Sequence, residues 1–554
     1  MVSTLNKIIA FFTSIAIAIG SFFCLFMPSV PKALSVDELM NTDGIFEKHE
    51  IADTIYAVIV NRLSKNERDT FDCLQGLVNR DKAQIIQIQS NTERAYLSKL
   101  AASGKEVIEL NCTLAELIEI FAEYITDYGY VLYRNTDFAE GLNTACNYAT
   151  IKGWLPIPVE LKETAEKCGM KLMKDISEEE YNYKFLLNFF NKYKDEFSDR
   201  GIVHIKKVTL GLRDFAIQQK LFICYSENNN AGKRFLNKVL KNTSENGIIL
   251  GWCEAEKHFV EFISKRGFSI VPADYCLNFS ILNGFDCKSS FVPSSEKITP
   301  NPDKHYISLI FSDGDNLQWM TNGYSEFFRG QNVERSYPVT WGIPNICQDI
   351  CSVTADRIKS GVKHDSDCFM AGPSGIGYAL PSKYEDKSMD KYTTQTAAAM
   401  LKSDLRVACI LDDKPNAFAE ALFTRKFDFY SRFDNIDGGI IFLDPNMYSA
   451  GEGRVWFSNG KPFLTVKKTL WDTEGYSGVT QEWMQEQADI INSYVADNNS
   501  INGYSAICVH AWTLTPENLD ILVNMLDSHI EIVNVNQLIE MITENVPHKN
   551  AKPD

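Results

Sequence analysis

The chain has 554 residues, a formal net charge of −17 at pH 7 and 45% hydrophobic residues. This composition is typical of a globular protein with a large core, and the length suggests roughly two to four domains. The acidity, combined with the lack of a basic stripe in the sequence, excludes nucleic acid as a partner, because an acidic surface repels phosphate groups.

An export signal is predicted at the N-terminus. Lys7 supplies a positive charge, residues 8–27 are apolar and uncharged, and "ALS" (residues 33–35) places small residues at the two positions that a signal peptidase reads. We therefore expect residues 1–35 to be a signal peptide and the protein to be secreted or held at the cell surface. An uncleaved segment of this length would instead anchor the protein, and this is the only membrane association that the sequence predicts.

Short apolar strands alternate with amphipathic helices in residues 36–286, which predicts an N-terminal α/β domain with mostly parallel strands. The region 287–304 is rich in Ser, Pro and Lys and predicts a linker between domains. The predicted strands before the linker are 83–89, 106–110, 130–134, 220–225 and 247–252, and the predicted helices there are 114–125 and 255–267.

The second half, residues 305–546, again alternates strands with helices such as 479–496. Seven or eight strands in about 240 residues predict a (β/α) barrel. The tail, residues 547–554, is expected to be disordered. The predicted strands are 306–311, 337–342, 368–371, 407–411, 439–444, 462–466, 504–512 and 530–535.

Two aspartates follow the first strand of this second half. In parallel α/β folds the ligand meets the carboxyl ends of the strands, and Asp313, Asp315, Asn316 and Trp319 lie there. Gly314 would let the chain turn, and in an extended chain the two carboxylates would lie roughly 7 Å apart on one side. Such a pair can hold a water or a metal. The alternative is a turn in which these acids cap the next helix.

Other strand ends carry polar and aromatic side chains as well. Asp444, His510, Trp512 and Trp341 each lie at or near the end of a predicted strand. A packed core would not select acids there, so we expect a binding site, although each aromatic ring or histidine could also be structural. The loop "AGPSGIGYALP", residues 371–381, lacks the P-loop arrangement, and we expect it to present Tyr378 to a ligand.

The segment "GIGYALP", residues 375–381, resembles the signature of the GxGYxYP family, whose members are regarded as glycoside hydrolases. Leu380 stands where the signature has its second tyrosine, so we expect a lost ring contact and an altered substrate preference. Three further segments look like the family pattern: "SDGDN" (312–316), "LQGLVNR" (74–80) and "GWCEAEKHFVEFISKRGFSIVPADYCLNFS" (251–280).

The resemblance implies an N-terminal domain of divergent α/β repeats, a β/α barrel of about seven strands and a site in the cleft between them. It also implies that Glu254, Asp313 and Asp315 are the catalytic acids, with Glu256 as a competitor. We expect Glu254, beside Trp252 in an apolar pocket, to be the general acid. Asp313 and Asp315 would activate water, which favours inversion. The expected substrate-binding residues are Asn316, Trp319, Trp341, Tyr378, Asp444, His510 and Trp512.

Two alternatives to a glycosidase remain. Asp313, Asp315 and His510 also resemble the layout of polysaccharide deacetylases, which activate water on a divalent cation. The chain has no H-x-x-x-H, and Cys347 and Cys351 lack nearby histidines, so we expect no metal site and no cofactor, with a divalent cation left open. The other alternative is a glycan-binding surface protein without activity. In each case the expected partner is a carbohydrate, and we expect a monomer.

Overall fold

The computed structural model describes residues 28–135, 140–206, 211–245, 247–288, 290–291, 297–322, 334–361 and 364–553. The apolar core of the predicted signal peptide lies outside these ranges. Ser35, at its predicted end, begins helix α1 (Val36–Met40) by accepting the Glu38 N–H in a capping box. Within the described ranges, no helix has the length and apolarity needed to span a membrane.

Three small parallel sheets form the N-terminal half. The first comprises β1 (Ile51–Ile59), α2 (Lys65–Val78), β2 (Ala83–Ile88), α3 (Asn91–Ala102), β3 (Glu106–Leu110) and α4 (Leu114–Ile120). The second comprises β4 (Gly129–Tyr133), α5 (Glu140–Lys152), β5 (Leu155–Pro158), α6 (Lys162–Lys167), β6 (Lys171–Asp175) and α7 (Tyr183–Tyr193). The third comprises β7 (Gly201–His204), α8 (Arg213–Gln218), β8 (Phe222–Cys224), α9 (Asn230–Leu240), β9 (Ile248–Gly251), α10 (Glu256–Ser264), β10 (Ser269–Pro272) and α11 (Phe279–Leu282).

The same strand order recurs in all three sheets. The first strand of each lies between the next two in the chain, giving β2-β1-β3, β5-β4-β6 and β9-β7-β8, and β10 extends the third sheet beside β9. The pairings are parallel throughout. The prediction of divergent α/β repeats is therefore confirmed.

Two of the sequence motifs contact each other in the core of this half. The Gln75 side-chain amide donates to Asn278 Oδ1 at 2.8 Å, and the Asn79 amide donates to Ser280 Oγ at 2.8 Å. All four side chains are buried, so each bond satisfies polar groups that water cannot reach. These bonds attach the end of the third repeat to helix α2 of the first.

A closed barrel forms the second half. Its strands and helices are β11 (His305–Phe311), α12 (Leu317–Thr321), β12 (Thr340–Ile343), α13 (Cys347–Ile350), α14 (Ser352–Lys359), β13 (Cys368–Ala371), α15 (Asp386–Ser403), β14 (Val407–Asp413), α16 (Glu420–Ser431), β15 (Gly438–Asp444), β16 (Val455–Ser458), β17 (Lys461–Leu470), α17 (Gln481–Asn492), β18 (Tyr504–Val509), α18 (Pro516–Val523), β19 (Ile530–Ile532) and α19 (Val535–Asn545). The continuous apolar runs form these strands because parallel sheets are covered on both faces, and every residue of β11 is buried.

Seven parallel strands close the ring in chain order, β11-β12-β13-β14-β15-β17-β18, and β18 returns to β11. This confirms the predicted seven-stranded barrel. The eighth strand candidate, β19, lies outside the ring. It pairs with the start of β11, at residues 305–307, whereas β12 pairs only with the end of β11, at Ile310 and Phe311. The short strand β16 is antiparallel to β17 and was not predicted.

The tail was predicted to be disordered, and the structure differs. Ala551 forms an antiparallel bridge with Val455, with N–H···O distances of 2.9 and 3.0 Å in the two directions. An isolated bridge has no periodicity that a sequence could reveal. The described part of the predicted linker also packs on the barrel: Phe291 is buried and its ring centroid lies 4.6 Å from that of Phe369.

The third repeat is attached to the barrel mouth through the loop that follows β13. The Tyr378 N–H donates to the Ile270 carbonyl at 2.7 Å, and the Ile270 N–H donates back to the Tyr378 carbonyl at 3.0 Å. Lys257 at the start of α10 forms an ion pair with Asp413 of the barrel at 2.9 Å. The N-terminal half therefore covers the carboxyl ends of the barrel strands.

Three glycines allow the first three barrel strands to converge at this mouth. A Cβ on Gly372 would overlap the Gly314 carbonyl, and a Cβ on Gly314 would overlap the Cα of Gly342. Gly314 is therefore required for close backbone packing, whereas the left-handed φ of +62° that turns the chain belongs to Asp313.

We predict that Gly372→Ala destabilises the protein by about 2 kcal/mol or more, because the clash is with backbone that cannot rotate away. Gly44→Ala is the control, since its Cβ would lie 3.4 Å from the nearest side-chain atom, Asp349 Oδ1. Melting temperatures measured side by side check this, and equal values for the two variants would contradict it.

Candidate active site

A cavity of about 410 Å³ lies where the third repeat covers the barrel mouth. Its walls come from the ends of six barrel strands, from the end of β10 and from the segment that follows β9. Acidic and aromatic side chains dominate them: Glu256, Asp313, Asp315, Trp252, Tyr378, Phe442, Tyr448, Trp471 and Trp512, with His510 beside them.

Asp313 lines the cavity in a turn at the end of β11. Its Oδ1 accepts the Trp512 indole N–H at 2.9 Å, and its Oδ2 accepts the Ser312 hydroxyl at 2.5 Å. Ser312 Oγ in turn accepts the Ala511 N–H at 3.1 Å. Donors from the ends of two strands thus hold the carboxylate in one orientation.

Asp315 lies in the same turn and is half-buried in the cavity wall. Burial raises its pKa well above the usual range, and the neighbouring charges of Asp313 and Glu256 raise it further. The raised pKa therefore favours the protonated form of Asp315. The predicted extended geometry does not occur, because the positive φ of Asp313 breaks the alternation of sides.

The alternative interpretation of Asp313 and Asp315 was that they cap the next helix, but the capping residue is Asn316. Its side chain accepts the Trp319 N–H at 3.1 Å and begins α12, while its position also borders the cavity. The ring of Trp319 packs against that of Trp512, with centroids 5.0 Å apart. Trp319 therefore supports the cavity wall through Trp512.

Glu256 extends into the cavity from the start of α10, on the opposite domain. Its Oε1 accepts the Tyr378 hydroxyl at 3.2 Å. Although Glu256 is open to the water of the cavity, the surrounding protein removes enough solvation to raise its pKa, and the charges of Asp313 and Asp444 raise it further. The Tyr378 ring stacks on Trp252, with centroids 6.4 Å apart.

Glu254, predicted to be the general acid, does not line the cavity. Its side chain is 70% exposed and forms an ion pair with Lys206. The Lys206 hydrogen bond and charge lower the pKa of Glu254, which is opposite to the prediction of a raised value. The segment after β9 turns into α10 here, so Glu256, two residues on, points into the cavity instead.

Trp341 was predicted to bind substrate but lies in the barrel core. It is 1% exposed, and its ring stacks on Phe311 of the neighbouring strand with centroids 4.5 Å apart. Leu380 also lies away from the cavity wall: it is buried, and its N–H donates to Ser264 Oγ of α10 at 3.0 Å. The departure from the family signature therefore changes packing behind the loop rather than a contact with the cavity.

His510 and Asp444 are placed differently from each other. His510 lines the cavity, stacked on Trp471 at 3.8 Å, with Nδ1 3.0 Å from Thr513 Oγ1, and burial lowers its pKa. Asp444 is half-buried at the end of β15 and lies 3.6 Å from Lys257, outside the cavity lining. Its charge acts on the site by raising the pKa of Glu256.

Trp471 and Phe442 were missed by the sequence analysis. Trp471 directly follows β17, which continues to Leu470, four residues beyond the predicted end. A register shift between Val466 and Lys468 interrupts the strand pattern there and hid this continuation. The rule that strand ends carry the site would have identified Trp471 once the full strand was known.

Within the described ranges, no group of three or more His, Cys, Asp or Glu side chains is placed to hold a metal ion. The described cysteines are all free thiols, and most of them are buried. Asp313, Asp315 and His510, the trio of the deacetylase alternative, border one cavity.

The fold and the site define an α/β-barrel protein with an acid-lined cavity beneath a second domain. Residues 303–543 match the family described as "GxGYxYP putative glycoside hydrolase C-terminal domain", and residues 203–284 match the "GxGYxYP third domain". The chain belongs to the GxGYxYP family. The cavity lies between these two matched regions, which contribute Glu256 from one side and both aspartates from the other.

A solved structure has the same fold. It is a crystal structure described as that of a putative hydrolase from Bacteroides thetaiotaomicron VPI-5482, with a TM-score of 0.81 and 22% sequence identity. The match covers 93% of this chain and 99% of that one. No curated protein matches the chain.

Asp315 provides a test of the site's electrostatics. A protein loses stability with rising pH when one of its carboxyls has a raised pKa in the folded state. The loss occurs between the ordinary pKa and the raised one, because in that range the unfolded chain releases the proton more readily. We predict that Asp315→Asn, which never ionises, has the stability of the parent near pH 4 and exceeds it by about 1 kcal/mol or more at pH 7. Melting curves against pH check this, with exposed Asp303→Asn as control. A variant less stable than the parent at pH 7 would contradict it.

Proposed function

We propose that this protein is a secreted glycoside hydrolase that cleaves a poly- or oligosaccharide by carboxylate general acid/base catalysis. The supporting observation is that Glu256, Asp313 and Asp315 meet in one aromatic-walled cavity, with a raised pKa at Glu256. A glycosidase needs a protonated carboxyl and an ionised one beside the scissile bond. The predicted export signal supports the assignment to the cell exterior.

Glu256 takes the role of general acid that the sequence had given to Glu254. Its raised pKa lets it keep a proton closer to neutral pH than an ordinary glutamate does. It donates that proton to the glycosidic oxygen as the bond to the anomeric carbon breaks. The Tyr378 hydroxyl, bonded to its Oε1, fixes the direction of the carboxyl.

Asp313 takes the role of general base. The hydrogen bonds from Ser312 and Trp512 hold its carboxylate in one orientation. It accepts a proton from water as the water oxygen bonds to the anomeric carbon. Asp315, kept protonated by its surroundings, orients that water. The activated water attacks the anomeric carbon directly, so the reaction inverts the configuration at that carbon. The negative charge of Asp313 also stabilises the positively charged transition state.

We predict that Glu256→Gln lowers kcat/KM by about 10²–10⁴-fold, the usual contribution of a general acid. Glu254→Gln is a matched control, two residues away in the same segment, and should stay within about twofold because exposed ion pairs contribute little. Hydrolysis of a panel of aryl glycosides and glycans measures both. A large loss in Glu254→Gln alone would overturn the assignment.

The same panel separates the alternatives. Acetate release from acetylated glycans together with bound metal would identify a deacetylase, and tight sugar binding with no turnover would identify a glycan-binding protein. Either outcome would replace the proposal.

The pH profile tests the link between Tyr378 and Glu256. The hydrogen bond from Tyr378 lowers the pKa of Glu256, so its removal in Tyr378→Phe should raise that pKa further. We predict that the alkaline limb of kcat/KM moves to higher pH in Tyr378→Phe, because the acid stays protonated longer. If the alkaline limb of the kcat/KM profile stays in place or moves to lower pH, the ionisation of Glu256 does not determine that limb.

A further inference from the structure

Three exposed aromatic residues lie in the cavity wall or are hydrogen-bonded to segments that form it, and we call them the rim aromatics: Tyr275, Tyr476 and Trp512. They are 51%, 45% and 42% exposed. Only four aromatic residues are prominently exposed in the described part of the chain, and three of them lie here. Clustering of exposed aromatic rings at one place is typical of a binding surface.

Trp512 connects the rim to the catalytic acids. Its indole N–H is bonded to Asp313 at 2.9 Å, and it lines the cavity, yet nearly half of its surface remains exposed. Trp319 supports it from behind, with ring centroids 5.0 Å apart. The exposed ring is therefore held in a fixed orientation beside Asp313, the proposed general base.

Tyr476 and Tyr275 are each hydrogen-bonded to a segment of the cavity wall. The Tyr476 hydroxyl donates to the Ala511 carbonyl at 2.7 Å, which holds its ring beside Trp512. The Tyr275 N–H donates to the side-chain carbonyl of Gln318 at 3.1 Å, and Gln318 lines the cavity next to Trp319. One tyrosine belongs to the barrel and the other to the third repeat, so the rim crosses the domain boundary as the cavity does.

The cavity alone limits the size of what it can enclose. Its volume of about 410 Å³ lies near the lower end of the roughly 300–1,000 Å³ found for ligand pockets. Further sugar units of a longer chain must therefore lie outside it. A pyranose presents C–H groups on its faces, and these pack on Trp and Tyr rings while the hydroxyls remain in water.

We propose, on the basis of the proposed function, that the rim aromatics form a second sugar-binding subsite for units of the same chain that extend out of the cavity. The substrate class is thereby a glycan chain longer than a disaccharide. Trp512 belongs to both parts, since its N–H holds Asp313 and its exposed face stacks on the next sugar.

Binding to an inactivated enzyme tests this subsite without turnover. In the Glu256→Gln background, calorimetry compares short and long members of cello-, malto-, xylo- and manno-oligosaccharide series. We expect the long member of the series that binds to bind about tenfold more tightly than the disaccharide. Tyr275→Ala and Tyr476→Ala should each reduce this ratio by roughly twofold to tenfold, the effect of one stacked ring.

Two controls separate the ring from other effects. Tyr275→Phe keeps the ring and should retain the ratio, and Leu172→Ala, which removes an exposed apolar side chain from β6 in the second repeat, should also leave the ratio unchanged. An affinity that does not depend on chain length, or alanine variants that leave the ratio unchanged, would overturn the subsite.

Hydrolysis by the unmodified enzyme distinguishes the two proposals. If the enzyme hydrolyses a glycan but its affinity does not depend on chain length, the subsite proposal is wrong and the glycoside hydrolase proposal is retained. If affinity increases with chain length but no glycan is hydrolysed, the subsite proposal is retained and the glycoside hydrolase proposal is wrong. Neither binding nor turnover on any series overturns both.

Discussion

The candidate site depends on two backbone hydrogen bonds between Tyr378 and Ile270. They make the loop after β13 behave as a short strand beside β10, and so fix the third repeat over the barrel mouth. Gly377 leaves room for this contact, since a Cβ there would lie 2.8 Å from Ser269 Oγ. With the backbone held, the Tyr378 hydroxyl reaches Glu256 from the other domain. Gly377 and Tyr378 of the signature thus help to bring an acid of one domain to the acids of another.

Charge in the resulting cavity is strongly one-sided. Asp313 and Glu256 both raise the pKa of Asp315, and Asp313 and Asp444 raise that of Glu256. Such a site resists full ionisation, so some carboxyls keep protons that they would lose in water. It also stabilises positive charge, which develops on a sugar ring when a glycosidic bond breaks. The clustered carboxyls thus destabilise one another in the resting protein, and the same negative charge would stabilise the transition state of the proposed reaction.

The N-terminal half supports this arrangement from a distance. Gln75 and Asn79 of the first repeat bond to Asn278 and Ser280 at the end of the third. The third repeat is therefore held on two sides, by the first repeat and by the barrel. This explains in physical terms why motifs some 200 residues apart, as the Gln75–Asn278 separation of 203 shows, occur together in one chain.

The architecture follows from the pattern of residues along the chain. Apolar runs of strand length alternating with amphipathic helices specify parallel α/β layers, since each element must bury its apolar face, and the strand ends located Asp313, Asp315, His510 and Trp512. The glutamate that faces the cavity, in contrast, is fixed by the packing of the two domains against each other. Glu254 and Glu256 stand two residues apart in a segment that changes from strand to helix, where neither periodicity applies. Side-chain direction at such a junction depends on what packs against it, and here that is a loop more than 100 residues away, as the Tyr378–Glu256 separation of 122 shows.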